Sequence, residues 1–156
     1  MSEFDLDPID RRILGELQRN GRISNVDLAA AVGLSPSPCL RRVRDLENGG
    51  VIDRYAAIID QNAAGRSLSV FVQVTLERQI ETALDAFERS VSERPEVMEC
   101  YLMTGEFDYL LRVVVSNMAD FERLHNEALT RLPGVARVNS SVAIRTVTKT
   151  TELPLS

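Results

Sequence analysis

Ser35, Ser37, Pro38, Arg41, Arg42 and Arg44 fall within ten consecutive residues. Together they offer hydroxyl groups, the amides of a helix start and planar guanidinium forks. Such a set suits nucleic acid: arginine can clamp a phosphate or bridge two acceptors on a guanine edge, and a helix N-terminus favours anions. A second group, Glu106 and Asp108, pairs two carboxylates across one residue. No histidine, lysine or third acid clusters with them in sequence, so general acid–base chemistry lacks its partners. Cys39 and Cys100 have no metal-ligand spacing, and the single histidine, His125, stands among Phe121, Leu124, Ala128 and Leu129 as a helix-packing residue. Neither a glycine-rich phosphate loop nor a Gly-x-Ser-x-Gly motif is present. We therefore expect no catalytic residue, no metal and no cofactor, and not an enzyme.

The net charge of −5 over 156 residues argues, taken alone, against a nucleic-acid partner. Binding depends on where positive charge sits, however, and three arginines fall between 41 and 44 in a chain whose only lysine is Lys149. A local basic patch inside an acidic protein is the pattern to explain. No apolar run reaches the roughly 18 residues of a membrane span, and the acidic N-terminus lacks a signal peptide's basic start. These features predict a cytoplasmic protein with two reduced thiols.

The basic cluster needs a scaffold, and local signals supply one. Asp7, Pro8 and Asp10 mark a helix start, and Ile9, Ile13, Leu14 and Leu17 recur at helical spacing until Asn20-Gly21. Ser24 caps a short second helix with Leu28, Ala29 and Val32 on its inner face. After the turn Gly33-Leu34, Ser35 caps a third helix running to about Asn48. At 100° per residue, Cys39, Leu40, Val43 and Leu46 share its buried face. Ser37, Pro38, Arg41, Arg44 and Asp45 lie opposite, with Arg42 at the flank. Val51–Ile59 reads as extended. Three short helices and a strand pair make a winged helix-turn-helix, whose second helix suits a major groove.

Beyond a linker at 61–67 the periodicity changes. Leu68, Val70, Val72, Val74 and Leu76 alternate as a strand. Ile80, Ala83, Leu84, Phe87 and Val91 mark a helix, strands follow at 97–104 and 108–115, and Asn117 caps a helix closed by Pro133-Gly134. A last strand runs from about Val135 to Thr148. The order βαββαβ is the ferredoxin-like arrangement. The chain is thus α+β, with a DNA-binding domain over 1–60 and a second domain over 68–156. Leu110–Val115 is apolar on both faces apart from Arg112, so one sheet face requires a partner subunit. Ferredoxin-like sheets also serve as RNA modules, but strand 108–113 lacks the stacking aromatics those use. A metabolic enzyme with an appended helical domain and a redox or metal sensor are the other rivals.

The stretches Asp10–Gln18, Asn20–Leu28 and Val32–Glu47, with Gly50-Val51-Ile52 after them, resemble the Lrp/AsnC family of feast/famine regulators. So do Thr104-Gly105-Glu106-Phe107-Asp108-Tyr109-Leu110-Leu111, Leu132-Pro133-Gly134-Val135 and Lys149. The resemblance implies a transcriptional regulator that binds double-stranded operator DNA, responds to an amino-acid effector and forms a homodimer that can assemble to an octamer. Ser35 and Ser37 are expected on phosphates, and Arg41 and Arg44 on bases or backbone. The resemblance carries the effector role to Met103, Thr104, Gly105 and Asp108, with Asp108 facing the ammonium group. Ser140 or Ser141 on the last strand, as weaker candidates, would add a hydroxyl from a neighbouring subunit. The plain alternative for Asp108 is that it satisfies local N–H groups in a turn.

Overall fold

A computed structural model describes residues 5–155. They form two compact units: one runs through Ile58 and takes in the last residues from Thr148, the other spans Ile59–Val147.

The first unit is built on α1 (Pro8–Arg19), α2 (Asn25–Val32) and α3 (Pro36–Asn48). Asp7 caps α1: its Oδ1 accepts the Ile9 and Asp10 N–H groups, both at 2.8 Å. The Asp10 carboxylate accepts the Asp7 N–H at 3.3 Å, closing a reciprocal capping box. Ser24 Oγ accepts the Asp27 N–H at 3.1 Å to start α2. Gly33 ends it in the left-handed region (φ 75°), where the Leu34 N–H reaches back to the Ala29 carbonyl at 2.9 Å. The helices meet on Ile13, Leu28, Ala29, Val32, Cys39, Val43 and Leu46, all buried. Truncating one of the large members to alanine costs about 2–5 kcal/mol. Leu40, expected in this core, is instead exposed.

Two further expectations change. The segment after Gly50 bends at Val51-Ile52 and forms no strand, so the strand pair of a wing is absent among the described residues. Val51 and Ile52 pack on the core while Tyr55 and Ile58 lie exposed. The cause is the lack of any second strand of this unit alongside. The chain's end, assigned above to the second domain, groups with the helices. Gln18 holds Leu153 in both directions, Nε2 donating to its carbonyl at 3.1 Å and Oε1 accepting its N–H at 2.6 Å. Leu155 packs on the same helical core.

The second unit is a four-stranded antiparallel sheet in the order β2-β3-β1-β4, formed by β1 (Leu68–Leu76), β2 (Val97–Leu102), β3 (Tyr109–Val115) and β4 (Val135–Val142). Helices α4 (Glu81–Ser92) and α5 (Met118–Glu127), the latter capped by Asn117, cover one face. Val70, Val72, Val74, Leu111 and Val113 are wholly buried there with Phe87 and Leu129. Tyr109 packs its ring on Phe87, centroids 4.4 Å apart, and donates to Glu88 Oε1 at 2.6 Å. Burial first, and then that bond, push its hydroxyl pKa well up. His125 packs as expected, 6.0 Å from the Phe121 ring.

The expected linker is a hydrogen-bonded turn: the Ala64 and Arg66 N–H groups bond to the Asp60 and Gln61 carbonyls. β4 stops at Val142 rather than Thr148. Its neighbour β1 begins at Leu68, and the ladder runs out once the Ala143 N–H has met the Ser69 carbonyl at 3.0 Å. Phe71 and Tyr101 stand exposed on the other sheet face, beside the half-buried Leu110 and an Arg112–Glu99 ion pair of 2.8 Å.

Candidate functional site

The basic surface is made by α3. Ser35 occupies its N-cap position, yet its hydroxyl makes no capping bond. The sequence around it narrows the choice: Pro38 at the third helical position has no N–H to give, which leaves only the Ser37 N–H as a target. The expected cap is missing, and the Ser35 hydroxyl stays exposed together with Ser37. Pro38 is half-buried and gives the surface shape rather than a donor. Asn25 Nδ2 donates to the Pro36 carbonyl at 2.8 Å, tying the start of α2 to the first turn of α3. That bond and the left-handed Gly33 set the turn between the two helices.

Arg41 and Arg44 are exposed, and among the described residues neither has a hydrogen-bond or ion-pair partner. They line one shallow groove with Ser37, Leu40, Asp45 and Asn48. Arg42 does something else. Its Nη1 lies 2.7 Å from Asp7 Oδ2 and 2.8 Å from Asp10 Oδ1. It does not line that groove, because its side chain is already spent on the N-terminus of α1. Spacing alone put it at the flank, and the acidic capping box at Asp7 and Asp10 was the signal that could have named its partner. The Asp10 N–H first, and the Arg42 guanidinium second, hold the Asp7 carboxyl below its usual 3.8.

In the second unit the expected effector residues separate. Met103 to Asp108 form a loop between β2 and β3, closed by the Met103 N–H on the Asp108 carbonyl at 2.8 Å. Gly105 adopts φ 115°, a region that side chains avoid, and open space surrounds it. Met103 and Thr104 are exposed. Asp108 is engaged locally: Oδ2 accepts the Leu76 N–H at 2.7 Å and Gln79 Nε2 at 3.2 Å. It satisfies the end of β1 at the point where the β1–β4 register shifts. These bonds give Asp108 the local role that was the plain alternative to the ammonium one. Ser140 pairs with Val72 and shares the helix-covered face, whereas Ser141 pairs with Phe71 on the open face. Of these two alternatives, only Ser141 lies on the face of the sheet that the helices leave open.

A cleft of about 370 Å³ lies next to this loop, lined by Gln73, Thr75, Glu106, Phe107, Arg137, Val138 and Asn139. Its guanidinium, carboxylate, amides and apolar wall were missed in the sequence, because Arg137 and Gln73 meet the loop only through strand pairing. Cys39 and Cys100 are free thiols, and burial raises the pKa of both, Cys100 to about 11. Among the described residues no three His, Cys, Asp or Glu side chains come together as a metal site, and no helix is long and apolar enough to cross a membrane.

Comparison with known proteins bears on both units. Residues 6–53 match a winged helix-turn-helix DNA-binding model, and residues 69–153 match the Lrp/AsnC ligand binding domain. The chain is 46% identical over 149 residues to the leucine-responsive regulatory protein of Escherichia coli K12, covering 96% of this chain and 91% of that protein. Among solved structures it resembles the transcriptional regulator NMB0573 of Neisseria meningitidis in complex with L-Met, with a TM-score of 0.93, 40% identity and 97% coverage of each chain. It also resembles an AsnC family regulator from Agrobacterium tumefaciens, with a TM-score of 0.92, 39% identity and coverage of 96% and 97%. A basic helix on a capped helix-turn-helix and a cleft on an antiparallel sheet thus meet their counterparts along nearly the whole length, and the chain belongs to the Lrp/AsnC family of transcriptional regulators.

Proposed function

We propose that this regulator binds operator DNA through Ser35, Ser37, Arg41 and Arg44 of α3 and responds to a free neutral amino acid held beside the 103–108 loop. The observation that carries the DNA assignment is that Arg41 and Arg44 are exposed and uncommitted on one groove. The effector assignment rests on the neighbouring cleft, where Arg137 suits an α-carboxylate, Glu106 an α-ammonium, and Phe107 an apolar side chain. The backbone of Met103, Thr104 and Gly105, on the same loop as Glu106 and Phe107, and the hydroxyl of Ser141, two positions along β4 from Asn139, are assigned as secondary contacts. The relative solved with L-Met supports an amino acid of this class. No reaction is assigned to the chain, and it works in the cytoplasm.

The functional species is a homodimer. Phe71 and Tyr101, 40% and 52% exposed on the sheet face opposite the helices, are the apolar surface a second copy covers. Two copies present two recognition helices to a pseudo-palindromic site with half-sites about one helical turn, or a multiple of it, apart. Family membership is what supports further assembly of dimers into an octamer. The test is a mobility shift on the chain's own upstream DNA, with and without single amino acids. A shift altered by one neutral amino acid in wild type, and lost in Arg137→Ala, supports the reading; a response retained in Arg137→Ala removes the cleft from it. Light scattering that gives a monomer's mass at micromolar concentration would refute the dimer.

A further inference from the structure

Asp10 is the one charged side chain that is buried among the described residues, at 8% exposure. A buried carboxylate requires a partner. It has two: the Asp7 N–H, and Arg42 reaching across from the middle of α3. Arg42 Nη1 also bonds Asp7 Oδ2, while Asp7 Oδ1 takes the Ile9 and Asp10 N–H groups. Every oxygen of both carboxylates is thereby used. The capping box that begins α1 is extended into a three-residue clamp whose third member belongs to the recognition helix.

The clamp's place on α3 gives it a role. Arg42 follows Arg41, one residue and 100° round the helix, so the two share a turn while pointing differently. The first turn of α3 has no side-chain cap, and Pro38 at its third position removes one of the two amides a cap would use. What aligns this half of the helix is the contact of Cys39 and Val43 with the core, the Asn25–Pro36 bond, and the Arg42 clamp. Apolar contact is non-directional. The two short ion-paired bonds fix rotation about the helix axis, on which the reach of Arg41 and Arg44 depends.

We propose that Arg42 is a positioning residue: it sets the azimuth of the recognition helix by clamping it to Asp7 and Asp10, and makes no phosphate contact. This inference rests on the DNA-binding reading and adds a sign to it. Removing a negative charge near a DNA surface should strengthen binding if charge alone matters. Removing Asp10 from the clamp should weaken it.

The experiment measures full-length wild type, Arg42→Gln, Asp10→Asn and Asp7→Ser by fluorescence anisotropy on the operator duplex, from 50 to 300 mM salt. Melting curves establish that each protein is folded at the assay temperature. Asp7→Ser keeps an N-cap oxygen and loses only the ion pair, so it carries the test should Asp10→Asn unfold. The expected result is binding about tenfold weaker in all three variants, the scale of one misplaced base contact, with the salt slope unchanged. A slope that falls by about 1.8 in Arg42→Gln, one phosphate in each of two half-sites, would overturn the proposal. So would tighter binding by Asp10→Asn or Asp7→Ser, or wild-type affinity in Arg42→Gln. Wild-type protein that binds no DNA at all would instead overturn the DNA-binding reading itself.

Discussion

Replacing Ser140 by alanine should stabilise the second unit. The Ser140 Oγ is enclosed and meets no hydrogen-bond partner among the described residues. It shares the helix-covered face with Val72, opposite it on β1. Three effects compete in the substitution. Relieving an unpaired buried hydroxyl gains about 1–3 kcal/mol on mutational scales. The space it leaves, on the order of 10 Å³, costs roughly 0.2–0.3 kcal/mol at the cavity coefficient. Alanine's poorer fit to a strand costs about 0.5 kcal/mol on an edge strand such as β4. The first wins, so the net gain is about 1 kcal/mol, which in a chain of this size raises Tm by about 2–4 °C. Calorimetry without ligand reads this directly, and titration with the best amino acid should give wild-type affinity. Destabilisation by Ser140→Ala would refute the reasoning, since it would mean that the hydroxyl is bonded in solution. A lost affinity at unchanged Tm would return Ser140 to the ligand site.

Other consequences follow from the same geometry. Arg41→Ala with Arg44→Ala should abolish the mobility shift while leaving the circular dichroism spectrum and Tm near wild type, because both side chains are exposed and neither is hydrogen-bonded or ion-paired among the described residues; retained affinity would remove them from the interface. Asp108→Ala should cost about 1–3 kcal/mol by orphaning the Leu76 N–H, whereas Asp108→Asn, which keeps an acceptor oxygen, should recover most of it and leave amino-acid affinity unchanged by calorimetric titration. Because the folded-state pKa of Asp7 is lowered below 3.8, its contribution is fully present above that value and is lost as pH falls through the folded pKa. The helical unit should therefore lose stability in acid below about pH 4, and Asp7→Ser should flatten that part of a pH–Tm profile.

Much of this protein was legible as sequence because its signals are local. Asp7-Pro8 and Ser24 announce helices through bonds made within three residues, and Gly33 ends one through its own backbone freedom. The alternation from Leu68 to Leu76 marks a strand because successive side chains face opposite ways, whatever its neighbours are. The exposed face of α3 followed from 100° per residue, and the family from long runs of residues in order. Where bonds cross the fold, the tertiary structure decided. Arg42 looked like one more basic side chain until α1 brought Asp7 and Asp10 within 2.8 Å of it. Asp108 changed from ligand group to the keeper of β1, because the Leu76 N–H lies 32 residues away in sequence. Ser140 and Ser141 were equal in sequence until pairing with Val72 and Phe71 put them on opposite faces. Glu106 and Arg137 became one cleft only through the β1–β4 register. Periodicity reports which side of its own element a residue occupies; which element lies against that side depends on long-range pairing, whose energy no local window contains.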